Sequence, residues 1–171
     1  MRIFLMINLV AAGILLAGCA SDYKTAVTLD TVGPVPTQAP APEAIPATNG
    51  TLVVYSAFRR SAYFDSRDPY RPEYSNYRIY TEDGKFLRGI HNDSGTPFQD
   101  PASVPLAPGK YRIYVRANGF GYITVPILIE AQQNTVLNLE GGNQDASGLN
   151  PANAVRLPDG RIVGWKAPAS S

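Results

Sequence analysis

The chain has 171 residues, of which 15 are basic and 14 acidic, with one cysteine and one histidine. The lone cysteine excludes an internal disulfide, and one histidine beside it leaves too few nitrogen and sulfur ligands for a zinc site. The near balance of charge predicts no nucleic-acid partner, since proteins that bind nucleic acid usually carry a clear basic excess. We therefore expect a chain that folds on its own hydrophobic core, without a metal or cofactor.

The N-terminus has the order of a secretory signal peptide. One positive charge, Arg2, precedes an apolar run over residues 3–16, and the small residues Ala17 and Gly18 follow. A spanning helix needs about 20 apolar residues, so this run is short for a permanent transmembrane segment. We predict a leader over 1–18 whose removal leaves 14 basic and 14 acidic residues.

The last residue of this region is the only cysteine. Leu16-Ala17-Gly18-Cys19 resembles the bacterial lipobox, which implies that the Cys19 sulfur carries a diacylglyceryl group and that the leader is cut just before it. Several acyl chains hold a protein at a membrane that a single chain would leave. Ala20, where an aspartate would imply retention at the inner membrane, implies the outer membrane, facing the periplasm or exterior. An ordinary signal peptide with an incidental cysteine is the alternative.

A proline-rich segment follows the anchor over residues 19–50. It holds five prolines between Thr31 and Gly50. Proline fixes φ and lacks an amide hydrogen, so we expect neither helix nor sheet there. At roughly 3 Å per residue, such a disordered tether would hold a domain several tens of ångströms from the lipid.

Short β-branched and aromatic runs, separated by turn residues, occupy residues 51–140. Side chains alternate between the two faces of a strand, so each run has one apolar and one more polar face. Six such runs predict an all-β fold, a small two-layer β-sandwich. The runs are TLVVYSAF, NYRIYT, KFLRGI, KYRIYVRA, YITVPILIE and TVLNLE.

Three local signals refine this prediction. An Asp83-Gly84 pair between two runs indicates a hairpin. Pro126, inside the fifth run, cannot donate to a ladder and predicts an edge strand or a bulge. Residues 141–171 are predicted as a Gly/Asn-rich linker and a C-terminal hairpin around Pro158-Asp159-Gly160, with Trp165 packed on the sandwich.

The stretch from Tyr77 to Glu140 has a recognisable series of turns. It runs from a hairpin through Gly-Thr-Pro and a Leu-x-Pro-Gly-x-Tyr corner that ends at Tyr111, then through Gly-Phe to a strand ending in Leu-x-Leu. This series resembles the PEGA and carboxypeptidase-regulatory-like modules, which implies an Ig-like or prealbumin-like sandwich. Such modules are accessory, used for binding, spacing or envelope attachment, and no catalytic residue is carried over. A tyrosine at such a corner bonds upstream backbone through its hydroxyl.

The histidine is weak evidence for catalysis. His91 neighbours Asp93 and Ser94, but the members of a catalytic triad converge from separate elements, and three residues in one turn rarely can. We therefore predict no catalytic residues, and keep a hydrolase only as a minor alternative.

Residues 58–77 form the most suggestive surface, because tyrosine and arginine are enriched at recognition sites. A loop of this length is unusual unless it is functional or disordered. The alternative is a long loop whose aromatic residues cover one end of the sandwich. The candidate binding residues are Arg59, Arg60, Tyr63, Arg67, Tyr70, Arg71 and Tyr74.

Together these features predict a lipid-anchored, non-catalytic lipoprotein of the cell envelope. Its partners would be the membrane, through the anchor, and an unknown envelope protein or glycan. A carbohydrate-binding module for cell-wall or extracellular glycans is the alternative, since planar rings stack on sugar faces.

Overall fold

The computed structural model describes residues 27–36, 48–60, 72–92, 100–141 and 150–168, and the regular secondary structure of these residues is almost entirely β-strand. One turn of 3-10 helix, Pro151–Asn153, is the exception. The strands are β1 Val32–Gly33, β2 Gly50–Tyr55, β3 Phe58–Arg60, β4 Pro72–Tyr74, β5 Tyr77–Thr81, β6 Phe86–Ile90, β7 Ser103–Leu106, β8 Gly109–Ala117, β9 Gly121–Ile129, β10 Asn134–Asn138, β11 Ala154–Arg156 and β12 Ile162–Lys166.

The strands form two main sheets and a short ribbon. The large sheet has seven strands in the order β11-β12-β1-β9-β8-β5-β6, and the small sheet has three in the order β10-β2-β7. The ribbon pairs β3 with β4. The predicted all-β architecture with two layers is confirmed.

The hydrophobic core lies between the two sheets. On β8 the inward residues Ile113 and Val115 are fully buried, and on β9 so are Val125 and Ile127. Removal of such side chains from water is the main favourable term in folding, at about 25 cal/mol per Å² of apolar surface. The alternation of faces predicted for these two strands is confirmed.

Both predicted hairpins are present. β5 and β6 pair antiparallel around the turn at 82–84, where Gly84 has φ +88°, a conformation that favours glycine. β11 and β12 form the C-terminal hairpin. Trp165 is only 3% exposed, so it packs against the body of the fold as predicted. The Tyr111 hydroxyl donates to the Ala107 carbonyl oxygen at 2.9 Å, which closes the predicted corner.

The prediction that Pro126 marks an edge strand or a bulge is wrong. β9 lies between β8 and β1, and its ladder with β8 runs unbroken from Gly109–Ile129 to Ala117–Gly121. The reason is the shortness of β1, which pairs with β9 at Ile127 only. Along most of the edge that β9 turns towards β1 there is therefore no ladder of hydrogen bonds. A residue without an amide hydrogen, such as Pro126, is tolerated there.

The prediction that neither helix nor sheet forms between residues 31 and 50 is also wrong, because Val32 and Gly33 form β1 between β9 and β12. Val32 is fully buried. The chain then reaches the small sheet, where the Val35 amide donates to the Asn134 carbonyl at 3.0 Å. Proline density misled the prediction because Pro34, the first proline, lies just after the strand.

This insertion shortens the predicted spacer. The fold begins to hold the chain at Val27, which packs against the core. Seven residues, 20–26, separate Val27 from Cys19. Even fully extended, they reach no more than about 30 Å. Residues 37–47, which hold Pro40, Pro42 and Pro46, lie outside the described residues.

Candidate binding surface

The predicted 58–77 surface is described only at its two ends. Arg59 and Arg60 belong to β3, where they pair with Glu73 and Pro72 of β4. Four of the predicted residues lie outside the described residues, namely Tyr63, Arg67, Tyr70 and Arg71. The described ends therefore form an antiparallel ribbon.

Tyr74, the last of the predicted binding residues, contacts other parts of the fold. Its hydroxyl donates to Glu140 Oε2 at 2.8 Å, and its ring meets Tyr55 edge to face with centroids 5.8 Å apart. Burial, followed by the hydrogen bond to Glu140, raises the pKa of Tyr74, so the hydroxyl keeps its proton and donates. Tyr74 thus attaches the ribbon to the end of the small sheet.

The ribbon lies at one end of the large sheet. The Ala57 amide, just before β3, donates to the Arg116 carbonyl at 2.9 Å, and the Ser75 amide, just after β4, donates to the Ala57 carbonyl at 3.0 Å. Arg116 is the second-to-last residue of β8, just before the β8–β9 connection. The predicted binding segment therefore starts and ends beside the C-terminal end of β8.

The lipidation motif lies outside the described residues, as do all of 1–26. Within the parts of the chain that the structure describes, no helix has the length and apolarity to cross a membrane. The roles of Leu16, Ala17, Gly18 and Cys19 in cleavage and lipidation therefore stay predictions.

A second surface stands out on the large sheet, on the side away from the core. Alternate residues of β5, β8 and β9 point outward there, and the strand register brings them together: Arg78 pairs with Tyr114, and Arg116 with Tyr122. We define the basic face as Arg78, Arg112, Tyr114, Arg116 and Tyr122, all of them exposed.

The two tyrosines of the basic face stack on each other. Their ring centroids are 5.1 Å apart and their planes differ by 10°. Tyr114 is 38% exposed and Tyr122 is 57% exposed. Diagonal neighbours on adjacent strands are within reach of aromatic side chains, which explains the contact. The pair therefore presents a broad aromatic surface to solvent.

A cleft of about 600 Å³ opens beside these rings, lined also by Arg78, Gly89 and His91. Gly89 pairs with Arg78 across β5 and β6, and a side chain built there would meet no atom within 4 Å. The missing side chain leaves open space next to the arginine. An open cleft, an arginine and two tyrosine rings thus lie next to one another.

His91 sits at the rim of this cleft. It is exposed, and its Nδ1 is 3.1 Å from Asn76 Oδ1. The amide of the next residue, Asn92, donates to the same Asn76 oxygen at 3.2 Å. Asp93 and Ser94, its sequence neighbours, lie outside the described residues.

The arginines of the basic face are not neutralised by their described neighbours. Arg78, Arg112 and Arg116 form no ion pair or side-chain hydrogen bond with another described residue. Lys110, next along the outward side of β8, is 3.6 Å from Glu82, and both are well exposed. Such an exposed pair contributes little and does not screen the arginines.

This arrangement suits a ligand with negative charge and a flat or extended apolar part. Guanidinium groups bind carboxylate and phosphate through two parallel hydrogen bonds, and tyrosine rings offer contact area with a polar tip. The basic face is not among the binding surfaces predicted from the sequence. The sequence does contain a signal for it, because every outward residue of β8 from 110 to 116 is basic or tyrosine.

Comparison with known proteins finds no significant match among family models, curated proteins or solved structures. The lipobox and the PEGA-like series of turns therefore stay predictions from the sequence. A functional proposal has to rest on the chemistry of the surface itself.

Proposed function

We propose that this protein is a lipid-anchored, non-catalytic lipoprotein of the cell envelope whose β-sandwich, of the PEGA-like, Ig-like or prealbumin-like type, acts as a binding module. The anchor is Cys19 after cleavage of residues 1–18, and the favoured location is the outer membrane. The lipobox resemblance supports the anchor, and the two-sheet β fold supports the module.

The basic face is the observation that carries the binding function. Three arginines without a described partner surround two exposed, stacked tyrosines. Arginine and tyrosine are the side chains most often found where a few residues supply most of the binding energy. Nothing in the packing of the core requires them on this outward side.

The anchor is tested by mass spectrometry of the protein from native membranes. We expect an N-terminal peptide that begins at Cys19 and carries the mass of the acyl chains. The variant Cys19→Ser should lack the mass of the acyl chains, while Ser21→Ala, a nearby change that spares the motif, should keep it. A bare thiol or an uncleaved leader would remove the proposal.

The binding face is tested by cross-linking and pull-down from intact envelopes. Substitution of Arg78, Tyr114 and Tyr122 by alanine should abolish capture of the envelope component, whether protein, glycan or lipid, that this face binds. A matched control replaces Lys85, Arg88 and Arg156 by alanine, three exposed residues that lie outside the basic face. Retention of every partner by the first variant would show that the basic face is not the binding surface.

Glycan binding is the second candidate function. The observation that favours it is the cleft beside the tyrosine pair, where Gly89 leaves room for a sugar ring over an aromatic surface. Glycan arrays and sedimentation with peptidoglycan test it. Enrichment that Tyr114→Ala and Tyr122→Ala abolish would support a glycan, and no enrichment on either would eliminate it.

A further inference from the structure

The direction of β1 fixes the end of the fold at which the anchored chain arrives. β1 runs parallel to β9, with Val32 opposite Ile127. The residues before Val32 therefore approach from the end at which β9 begins. That is the end where Arg116 and Tyr122 pair across β8 and β9.

Contacts with the end of β12 hold the chain at this entrance. Asp30 forms an ion pair with Lys166 at 2.8 Å, and the Thr31 carbonyl accepts from the Ala167 amide at 2.9 Å. Leu29 is 8% exposed and belongs to the core. Between Cys19 and the held chain lie only residues 20–26, which can span no more than about 30 Å.

The basic face begins at this same end. Arg116 and Tyr122 form its first row, and Arg78 and Tyr114 its second. Adjacent strands are about 4.8 Å apart, so β8 lies roughly 10 Å to the side of β1. The span of residues 20–26 exceeds this distance between β1 and β8. The acyl chains at Cys19 and the basic face can therefore contact the same membrane.

We propose that the basic face docks on the anionic phosphate headgroups of the membrane that holds the anchor. This inference rests on the proposed function for the lipid at Cys19. The charge is complementary, because three arginines without a described ion-pair partner would face phosphate groups, which arginine binds through two parallel hydrogen bonds. Each Lys or Arg near an anionic surface contributes about 1 kcal/mol to binding.

The tyrosines favour a membrane interface over a soluble polyanion. Tyr114 and Tyr122 combine an apolar ring with a polar hydroxyl, the type of side chain that concentrates at headgroup depth. Both tyrosines lie next to arginines on the same face of the sheet, so the rings and the guanidinium groups would reach the headgroup layer together. A glycan held in the cleft would engage Tyr114, Tyr122 and Arg78 but would leave Arg112 and Arg116 without a described partner.

Vesicle sedimentation of the chain from Ala20 tests this docking without the acyl chains. That chain keeps every residue that the structure describes. We expect it to pellet with vesicles of phosphatidylcholine containing 30% phosphatidylglycerol at low salt, and to stay in solution with phosphatidylcholine alone. Binding should fall in high salt, because exposed charges are screened.

The diagnostic variant replaces Arg78, Arg112 and Arg116 by glutamine. At about 1 kcal/mol for each arginine, its partition onto anionic vesicles should drop about a hundredfold. The matched control replaces Lys85, Arg88 and Arg156 by glutamine, which removes the same charge from other positions. A circular dichroism spectrum of each confirms that the fold is retained.

The outcomes separate this inference from the function it rests on. Loss of vesicle binding in the face variant alone supports docking. Equal loss in both variants, no binding to anionic vesicles, or displacement by millimolar glycerol phosphate would overturn it, as would binding to polygalacturonate in place of vesicles. None of these results depends on lipidation, which the mass of the Cys19 peptide decides separately.

Discussion

At the scale of single residues, a buried asparagine links the two sheets. Asn92, which is 1% exposed and follows β6 of the large sheet, donates through Nδ2 to the Val54 carbonyl of β2 at 2.8 Å and to Ser56 Oγ at 3.1 Å. Its Oδ1 accepts from the Ala102 amide at 3.1 Å, before β7. Ser56 Oγ in turn donates to the Ser75 carbonyl at 2.7 Å. The Asn92 side chain thus satisfies backbone groups on two segments, and the Ser56 hydroxyl connects it to a third.

Replacement of Asn92 by alanine should therefore be costly. It leaves the Ala102 amide without this partner, and a buried unsatisfied group costs about 1–3 kcal/mol. The Val54 carbonyl keeps only its bond from the Ser56 amide. We expect the free energy of unfolding to fall by about 2 kcal/mol in urea titration. The control Asn153→Ala changes an exposed residue and should stay within about 0.5 kcal/mol. Equal effects of the two changes would contradict this role of Asn92.

A charged cluster holds the turn of the C-terminal hairpin. Arg161 Nε donates to Asp159 Oδ2 at 2.6 Å, and Arg161 Nη2 donates to the Asn118 carbonyl at 2.5 Å. Its guanidinium lies 5.5 Å from the centroid of the Phe120 ring. The hairpin is thereby attached to the β8–β9 connection.

This cluster predicts a pH dependence of stability. Desolvation acts to raise the pKa of Asp159, but the hydrogen bonds and charge of Arg161 lower it below its ordinary value. A lowered pKa in the folded state stabilises above the unfolded pKa, and this contribution is lost as pH falls through the folded pKa. Asp159→Asn should thus be less stable than the native chain at pH 7, and the difference should begin to shrink below about pH 4 and vanish as pH falls through the lowered pKa of the folded state. A difference that is constant from pH 7 to pH 2 would contradict this assignment.

At the scale of elements, the sequence predicts β8 and β9 well and β1 not at all. Both long strands alternate clearly between buried and exposed residues, and this period alone identifies them. β1 has two residues, too few to show a period in the sequence. It is defined by its pairing with β9 on one side and β12 on the other. The neighbouring prolines pointed the other way.

The same reasoning explains why the basic face was missed. Composition placed arginine and tyrosine at 58–77, where they are close in sequence. The basic face gathers Arg78, Tyr114 and Tyr122 from three strands through register. The alternation of β8 shows that its outward residues are basic or tyrosine, but the neighbours of β8 in the sheet follow from tertiary pairing alone.

Val32 provides the test of β1. It is fully buried, and a side chain built at Gly164 would come within 2.5 Å of Val32 Cγ1, so the site is tightly packed. Burial of a valine side chain contributes about 1.5–3 kcal/mol. We expect Val32→Ala to lower the free energy of unfolding by about 2 kcal/mol in urea, whereas exposed Thr28→Ala should change it by less than about 0.5 kcal/mol. If Val32 belonged to a free tether, both changes would be neutral.

At the scale of the whole molecule, the insertion of β1 brings the domain towards its anchor. A tether through residue 50 would place the β-sandwich well away from the lipid. With the chain held from Val27 onward, only residues 20–26 lie between the fold and Cys19, and the face nearest the entrance carries arginine and tyrosine. Under our proposal, the lipoprotein would work at the membrane surface, with its basic face against the headgroups.

Energy transfer from Trp165 to dansyl-labelled lipid headgroups tests this arrangement most directly. Trp165 is the only tryptophan and lies opposite Gly33 of β1, so it reports the distance of the large sheet from the lipid. For the full lipidated protein in anionic vesicles we expect strong transfer, which falls when Arg78, Arg112 and Arg116 are replaced by glutamine. Transfer that is weak in the native protein and unchanged by these substitutions would show that the domain stands away from the membrane.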